Sequence, residues 1–245
     1  MRLRAACWCL ATLLPPSLLL AAADGSTGDD GSNDMQLHLL EPGEGGNACL
    51  DGSPFGYYVA ANASSDDWVI DIDGGGWCDS AVSCVTRIAS SSRLASSTTW
   101  AAVGSGSGIT SGNPTDNPDY HTFNRVNFPY CDGSSFTSHR EQPLSVQHGG
   151  NTTLLHMRGW NNLHAAVASL KRDHSMRRVK RLVVTGGSAG GTSTFLHTDH
   201  LAELTGAELS VGLPDAGAFR VMAPPACCAW SDIVTLHSEC TACYI

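Results

Sequence analysis

The sequence predicts an α/β fold in which a mostly parallel sheet is covered by helices on both faces. Short apolar runs typical of buried strands alternate with segments in which apolar residues recur at helical spacing. A glycine-rich turn around Ser188 joins one such run to one such helix. A chain of 245 residues is long enough for one sizeable core.

The predicted elements follow one another in a regular order. Strands are expected at residues 57–59, 68–73, 123–130, 182–185 and 211–217. Helices are expected at residues 79–89, 159–170 and 190–204. The stretch 90–117 is rich in Ser, Gly, Thr and Pro and is predicted to form a long loop.

The turn at residues 186–191 reads Gly-Gly-Ser-Ala-Gly-Gly. A strand, a glycine turn with a central serine and a helix form the nucleophile elbow of α/β-hydrolases. Gly186 and Gly190 permit a sharp turn beside Ser188, and the amides at the start of the next helix favour developing negative charge. We therefore predict an α/β-hydrolase-like fold with Ser188 as the nucleophile; the alternative is an ordinary Gly/Ser turn.

A second glycine-rich loop follows the predicted strand 68–73. A hydrolase of this fold takes one oxyanion donor from the amide after the nucleophile and another from a glycine-rich loop after an earlier strand. Gly75, Gly76 and Ala189 are the predicted donors. Trp77 is predicted to line the substrate pocket, although an aromatic plug in the core fits the sequence equally well.

Composition and the amino terminus indicate an exported protein. The net charge of −9 argues against nucleic acid and anionic membrane surfaces as partners. Residues 1–23 have the pattern of a signal peptide, with Arg2 and Arg4 before an apolar stretch and an Ala-x-Ala cleavage site. A membrane anchor is the alternative, but the stretch is short and contains Pro15-Pro16. We expect a polar, disordered segment at residues 24–48 and a partial α/β-hydrolase domain at residues 49–245.

Cysteines and glycosylation sequons agree with export. Eight of the ten cysteines lie beyond residue 23, and an even number in a secreted chain predicts disulfides. Cys240 and Cys243 have the spacing of a redox motif or half a zinc site, but no matching His/Cys pair stands at metal spacing, so we predict no metal site. Asn62 and Asn151 begin N-glycosylation sequons.

Several motifs resemble the pectin acetylesterase/Notum carboxylesterase family. They occur in order from about Cys49 to the end of the chain: Cys49-Leu-Asp-Gly-Ser-Pro, Gly74-Gly-Gly-Trp-Cys78, Asn117-Pro-Asp-Tyr120, Pro129-Tyr-Cys-Asp-Gly-Ser-Ser-Phe136, Gly187-Ser-Ala-Gly-Gly191 and Asp215-Ala-Gly217.

The resemblance implies a secreted α/β-hydrolase without a metal or organic cofactor. It also implies Ser188 as the nucleophile and disulfides Cys78–Cys84 and Cys49–Cys131. The implied substrate is an O-acetyl ester of pectin or another extracellular polysaccharide. A Notum-like deacylase that removes a palmitoleoyl group is the alternative within the family, and a catalytically silent secreted binding protein is the alternative outside it.

The sequence departs from the family where the catalytic acid and base are expected. Hydrolases of this fold place both after the serine, and in the family they lie beyond the region that matches Cys240–Cys243. The chain is therefore expected to be truncated at its carboxyl end, and no acid or base is assigned. The aspartate and histidine residues that follow Ser188 are Asp199, Asp215, Asp232, His197, His200 and His237.

Overall fold

The computed structural model describes residues 31–90 and 92–218. Its strands are β1 (Asp34–Leu39), β2 (Gly56–Ala60), β3 (Trp68–Ile72), β4 (Val103–Ser105), β5 (Asn124–Phe128), β6 (Leu144–His148), β7 (Asn151–Leu155), β8 (Arg181–Gly187) and β9 (Leu209–Asp215). Its α-helices are α1 (Ala81–Ser90), α2 (Gly159–Asp173) and α3 (Ala189–Thr205), and 3₁₀ turns occur at Glu44–Gly46, Ser92–Leu94 and Gly108–Thr110.

The main sheet has seven strands in the order β4-β1-β2-β5-β3-β8-β9. Strands β5, β3, β8 and β9 run parallel, whereas β2, β1 and β4 add antiparallel pairs. The predicted α/β-hydrolase-like fold is thereby confirmed. Because β3 and β8 pair in register with Ile72 opposite Gly186, the loops that follow these strands emerge side by side.

The central strands are buried on both faces, as their apolar sequences predict. Trp68, Ile70 and Ile72 face a core that α2 and α3 cover. Val69 faces the other side of the sheet, where it packs on side chains from the loop before β5 and from the turn Gly108–Thr110. In the described ranges, loop and turn side chains cover Val69 and Val183 on this second face, where a helix was expected, whereas the apolar side chains of β9 on the same face are exposed. The neighbouring helix α1 packs elsewhere, against the β6–β7 hairpin.

The structure corrects the prediction that residues 24–48 are disordered. Asp34–Leu39 form β1, which pairs with β2 on one side and β4 on the other, and Met35 and Leu40 are buried. Polar and glycine-rich flanks concealed this strand, whose backbone hydrogen bonds compensate for its few apolar side chains. Residues 24–30 and the predicted signal peptide at 1–23 lie outside the described residues.

Two disulfides connect the loops that carry the family motifs. Cys49 is bonded to Cys131 and Cys78 to Cys84, the pairings that the resemblance implies. The first joins the segment before β2 to the loop after β5, and the second joins the glycine loop after β3 to α1. Six further cysteines, Cys7, Cys9, Cys227, Cys228, Cys240 and Cys243, lie outside the described residues.

The two sequons differ in their surroundings. Asn151 is exposed at the start of β7, whereas Asn62 is half-buried and its side-chain amide donates to the carbonyl of Thr122 (2.8 Å). None of the helices in the described ranges has the length and apolar character needed to span a membrane.

Candidate active site

Ser188 lies in a strained turn between β8 and α3. Its backbone has φ 56° and ψ −122°, a conformation that residues other than glycine rarely adopt, and its side chain is exposed. Its amide donates to the carbonyl of Asp215 (3.0 Å), and its carbonyl accepts from the amide of Thr192 (3.0 Å). Strain held in place by such bonds is typical of functional positions.

Two glycines beside Ser188 allow the end of β3 to approach the turn. A Cβ on Gly186 would lie 2.5 Å from the carbonyl oxygen of Ile72, and a Cβ on Gly190 would overlap the same oxygen. Gly187, by contrast, has open space where its side chain would be. The sequence motif therefore reflects the close contact of two backbone segments as well as the turn itself.

The glycine loop after β3 lies directly against this turn. A Cβ on Gly74 would lie 3.1 Å from Cβ of Ser188 and 3.3 Å from the amide nitrogen of Ala189. Gly75 instead faces the ring of Tyr130, and Gly76 has a positive φ of 66°. The fold thus brings the predicted oxyanion loop and the predicted nucleophile together. That the amides of Gly75, Gly76 and Ala189 are the donors stays a prediction, and the close contact made by Gly74 was not foreseen.

Ser135 connects the parts of the site. Its hydroxyl accepts from Nε1 of Trp77 (2.7 Å) and donates to the carbonyl of Ala189 (2.8 Å), while its amide donates to the hydroxyl of Tyr130 (2.9 Å). Nε2 of His197 lies 2.9 Å from its carbonyl oxygen. Ser135 is buried and has a φ of 54°. The spacing of sequence motifs gave no sign of this role, because Trp77 comes from the loop after β3 and the partners Ala189 and His197 come from α3.

A buried carboxyl group shapes the loop that contains Ser135. Asp132 is fully buried and accepts hydrogen bonds from the amides of Ser134 (3.2 Å) and Phe136 (2.9 Å) and from the hydroxyl of Ser134. Burial raises its pKa, and these donors oppose the rise. The bonds fold the chain back on itself and hold Ser135 and Phe136 in left-handed conformations.

Two more carboxyl groups lie just before the glycine loop. Burial, and to a lesser degree the charge of Asp73, raises the pKa of Asp71 to about 6. Burial also raises the pKa of Asp73, whose Oδ1 accepts from the side-chain amide of Asn127 (2.9 Å). Asp71 in β3 and Asp73 directly after it therefore make the end of this strand sensitive to pH.

A hollow of about 250 Å³ opens beside the glycine loop. Trp77 lines it and also packs against the main core. That Trp77 lines a substrate pocket stays a prediction. Arg87 also lines it and donates from Nη2 to the carbonyl of Gly75 (2.9 Å). The remaining lining residues are Gly75, Ser83, Thr86, Ser90 and Leu94. Hydroxyls and a guanidinium give the hollow a polar character.

No described acid or histidine hydrogen-bonds to the hydroxyl of Ser188. His197 is buried against Ser135, and burial lowers its pKa to about 4. His200 contacts His164 instead, and Asp215 reaches Ser188 only through its backbone carbonyl. The other candidates, Asp232 and His237, lie outside the described residues.

Comparison with known proteins settles the family. The family model described as Pectinacetylesterase matches residues 29–235. The chain belongs to the pectinacetylesterase family. Relatives of this pectinacetylesterase chain include pectin acetylesterase 4 of Arabidopsis thaliana, which is 31% identical over 89% of this chain and 54% of its own length. The palmitoleoyl-protein carboxylesterase NOTUM of Mus musculus is 31% identical over 77% of this chain and 36% of its own length.

A solved structure shares the fold of this family member. The Wnt deacylase Notum from Drosophila superposes with a TM-score of 0.69 at 27% identity, covering 82% of this chain and 58% of that one. The chain spans about half the length of the curated relatives it matches, or less.

Proposed function

We propose that this chain carries the nucleophile and oxyanion loop of a secreted carboxylic ester hydrolase that removes O-acetyl groups from pectin or a similar polysaccharide. The observation that supports this most is the exposed, strained Ser188 with a glycine loop packed against it. This is the arrangement that acyl transfer requires, because the nucleophile and the oxyanion donors must flank one carbonyl group.

In the proposed reaction the hydroxyl oxygen of Ser188 attacks the acetyl carbon and gives up its proton to a general base. The amides of Gly75, Gly76 and Ala189 stabilise the oxyanion of the tetrahedral intermediate. The sugar oxygen leaves with a proton, and an acetyl-enzyme forms. Water then attacks the acetyl-enzyme and releases acetate. The general base is not among the described residues, and without one the serine hydroxyl is a weak nucleophile.

A polar hollow beside the glycine loop favours a saccharide over a lipid. The hydroxyls of Thr86 and Ser90 donate to backbone carbonyls within α1 and can still accept from sugar hydroxyls, and Trp77 offers a flat surface for a sugar ring. A long acyl chain would instead require an apolar cavity beside the glycine loop. The Notum relatives nevertheless keep a lipid deacylase as the second candidate, since their printed names describe removal of a palmitoleoyl or Wnt acyl group.

Export is supported by three features. Both described disulfides require an oxidising compartment. The first 23 residues have the pattern of a signal peptide, and Asn151 lies in an exposed sequon. We propose an extracellular location for the protein.

Labelling and hydrolysis together test the proposed chemistry. A fluorophosphonate should attach to Ser188, as located by mass spectrometry, and p-nitrophenyl acetate should be cleaved. Both results should disappear in Ser188→Ala and persist in Ser145→Ala, which alters an exposed serine of β6. An unlabelled Ser188 with no hydrolysis by the folded protein would mean that this chain lacks a working general base or is the catalytically silent binding protein.

A series of acyl lengths tests the substrate. The hydrolysis rate should be greatest for p-nitrophenyl acetate and lower for p-nitrophenyl decanoate. Acetylated pectin should release acetate. Faster cleavage of the decanoate would favour the lipid deacylase instead.

A further inference from the structure

Two imidazole rings meet between α2 and α3. Nε2 of His164 lies 2.9 Å from Nε2 of His200, and both residues are half-buried. His200 stands eleven residues after Ala189, at roughly 16 Å along the helix axis from the start of α3. The pair therefore lies apart from the candidate active site, and the proposed function makes no use of it.

Neighbouring side chains hold the two rings in place. The ring of Trp160 stacks on His200 with centroids 4.4 Å apart and an interplanar angle of 20°, and it lies 4.7 Å from the ring of His164. Nδ1 of the nearby His139 is hydrogen-bonded to the side-chain oxygen of Asn161 (2.7 Å). Rings packed in this way lose little rotational freedom when both nitrogens bind one ion.

The two Nε2 atoms can share a proton between them, or they can bind one metal ion that lies to the side of the line that joins them. Two neutral imidazoles at this distance share one hydrogen bond, in which one Nε2 donates and the other accepts. With metal–nitrogen bonds of about 2.0 Å, two cis ligands of a square-planar ion lie about 2.8 Å apart, and two ligands of a tetrahedral ion about 3.3 Å apart. The observed separation of 2.9 Å is close to the square-planar value.

We propose that His164 and His200 form a binding site for a divalent transition metal ion, with Cu²⁺ preferred. Cu²⁺ favours tetragonal nitrogen coordination and binds such ligands more tightly than Ni²⁺ or Zn²⁺. In the described ranges no set of three or more His, Cys, Asp or Glu side chains is arranged to hold a metal, so water completes the coordination.

Such an ion would link the two helices. Because the site exists only in the folded chain, binding should stabilise it against unfolding. The linked helix α3 begins at the residue after Ser188.

Titration of the full chain with Cu²⁺ tests the proposal, after chelator treatment and blocking of free thiols. Calorimetry should give one ion per chain, and the ion should quench tryptophan fluorescence because Trp160 stacks on a ligand. His164→Asn and His200→Asn should each weaken binding at least tenfold. His148→Asn, an exposed histidine of β6, is the matched control and should bind as the wild type does. Trp160→Phe should lose most of the quenching and keep the binding heat.

Two results would overturn the proposal. One is binding that is absent, or equally strong in all three histidine variants. The other applies even if the Asn variants fail to fold: an electron paramagnetic resonance spectrum of the wild-type Cu²⁺ complex without coupling to imidazole nitrogen.

Discussion

Replacement of Gly190 by alanine is the sharpest test of how the candidate site is built. A Cβ at this position would overlap the carbonyl oxygen of Ile72 and lie 2.8 Å from its carbon. Both are backbone atoms at the end of β3, which is held between β5 and β8. Neither atom can rotate away, so either α3 or the end of β3 must shift.

The expected cost follows from this geometry. Inserting a methyl group into a packed region costs about 1–3 kcal/mol, and a backbone neighbour places Gly190→Ala at the upper end. The better helix propensity of alanine offsets less than about 1 kcal/mol, because the position lies in the first turn of α3. We expect Gly190→Ala to lower the free energy of unfolding by about 2–3 kcal/mol. Gly187→Ala, which adds the same group to open space, should change it by less than about 1 kcal/mol.

Urea unfolding of the two variants and the wild type measures this difference. If hydrolysis by the wild type is established, its rate should fall much further in Gly190→Ala than in Gly187→Ala, because displacement of α3 moves Ser188 relative to the glycine loop. Equal stability of the two variants would refute the claim that the motif exists to admit the end of β3.

Three further substitutions test residues that hold the candidate site together. Because the pKa of Asp71 is raised, its contribution to stability is present at low pH and lost as pH rises through about 6. The free energy of unfolding of Asp71→Asn should therefore exceed that of the wild type by about 1–3 kcal/mol above pH 6 and differ little from it at pH 4. Urea titrations at both pH values measure this difference. Ser135→Ala removes the hydroxyl that accepts from Nε1 of Trp77 and donates to the carbonyl of Ala189, which should cost about 1–3 kcal/mol and change the tryptophan emission spectrum. An unchanged spectrum and stability would contradict the central role of Ser135. Replacement of both Cys49 and Cys131 by alanine removes a disulfide between residues 82 positions apart. It should lower the free energy of unfolding by about 4–5 kcal/mol, as measured by thermal unfolding. A decrease below about 1 kcal/mol would show that packing alone fixes this loop.

Local patterns were sufficient to predict the elements that surround Ser188. An apolar run before a glycine-serine turn has few alternatives to a buried strand, and β8 and α3 lie within a few residues of their predicted bounds. The same holds for β3 and its glycine loop. In these segments the local sequence preference and the tertiary structure agree, so reasoning from one window of sequence succeeds.

Features that depend on distant partners were not predictable in this way. Strand β1 has too few apolar residues to be recognised alone and is stabilised by pairing with β2 and β4. Ser135 has its role only because Trp77, Ala189 and His197 arrive from other segments. The His164–His200 contact likewise joins residues 36 positions apart on two helices. Periodicity within one element carries no information about such contacts.

The register between β3 and β8 brings the glycine loop and the serine turn together in one site. Ile72 pairs with Gly186, so the glycine loop and the serine turn begin at the same level of the sheet. Since side chains alternate between faces, a slip of one residue would place Ile70 and Ile72 on the face now occupied by Val69. That slip would also move the loop by about 3.3 Å relative to Ser188, more than the margin within which an oxyanion donor acts. The apolar pattern of β3 therefore sets the distance between the predicted nucleophile and its predicted oxyanion donors.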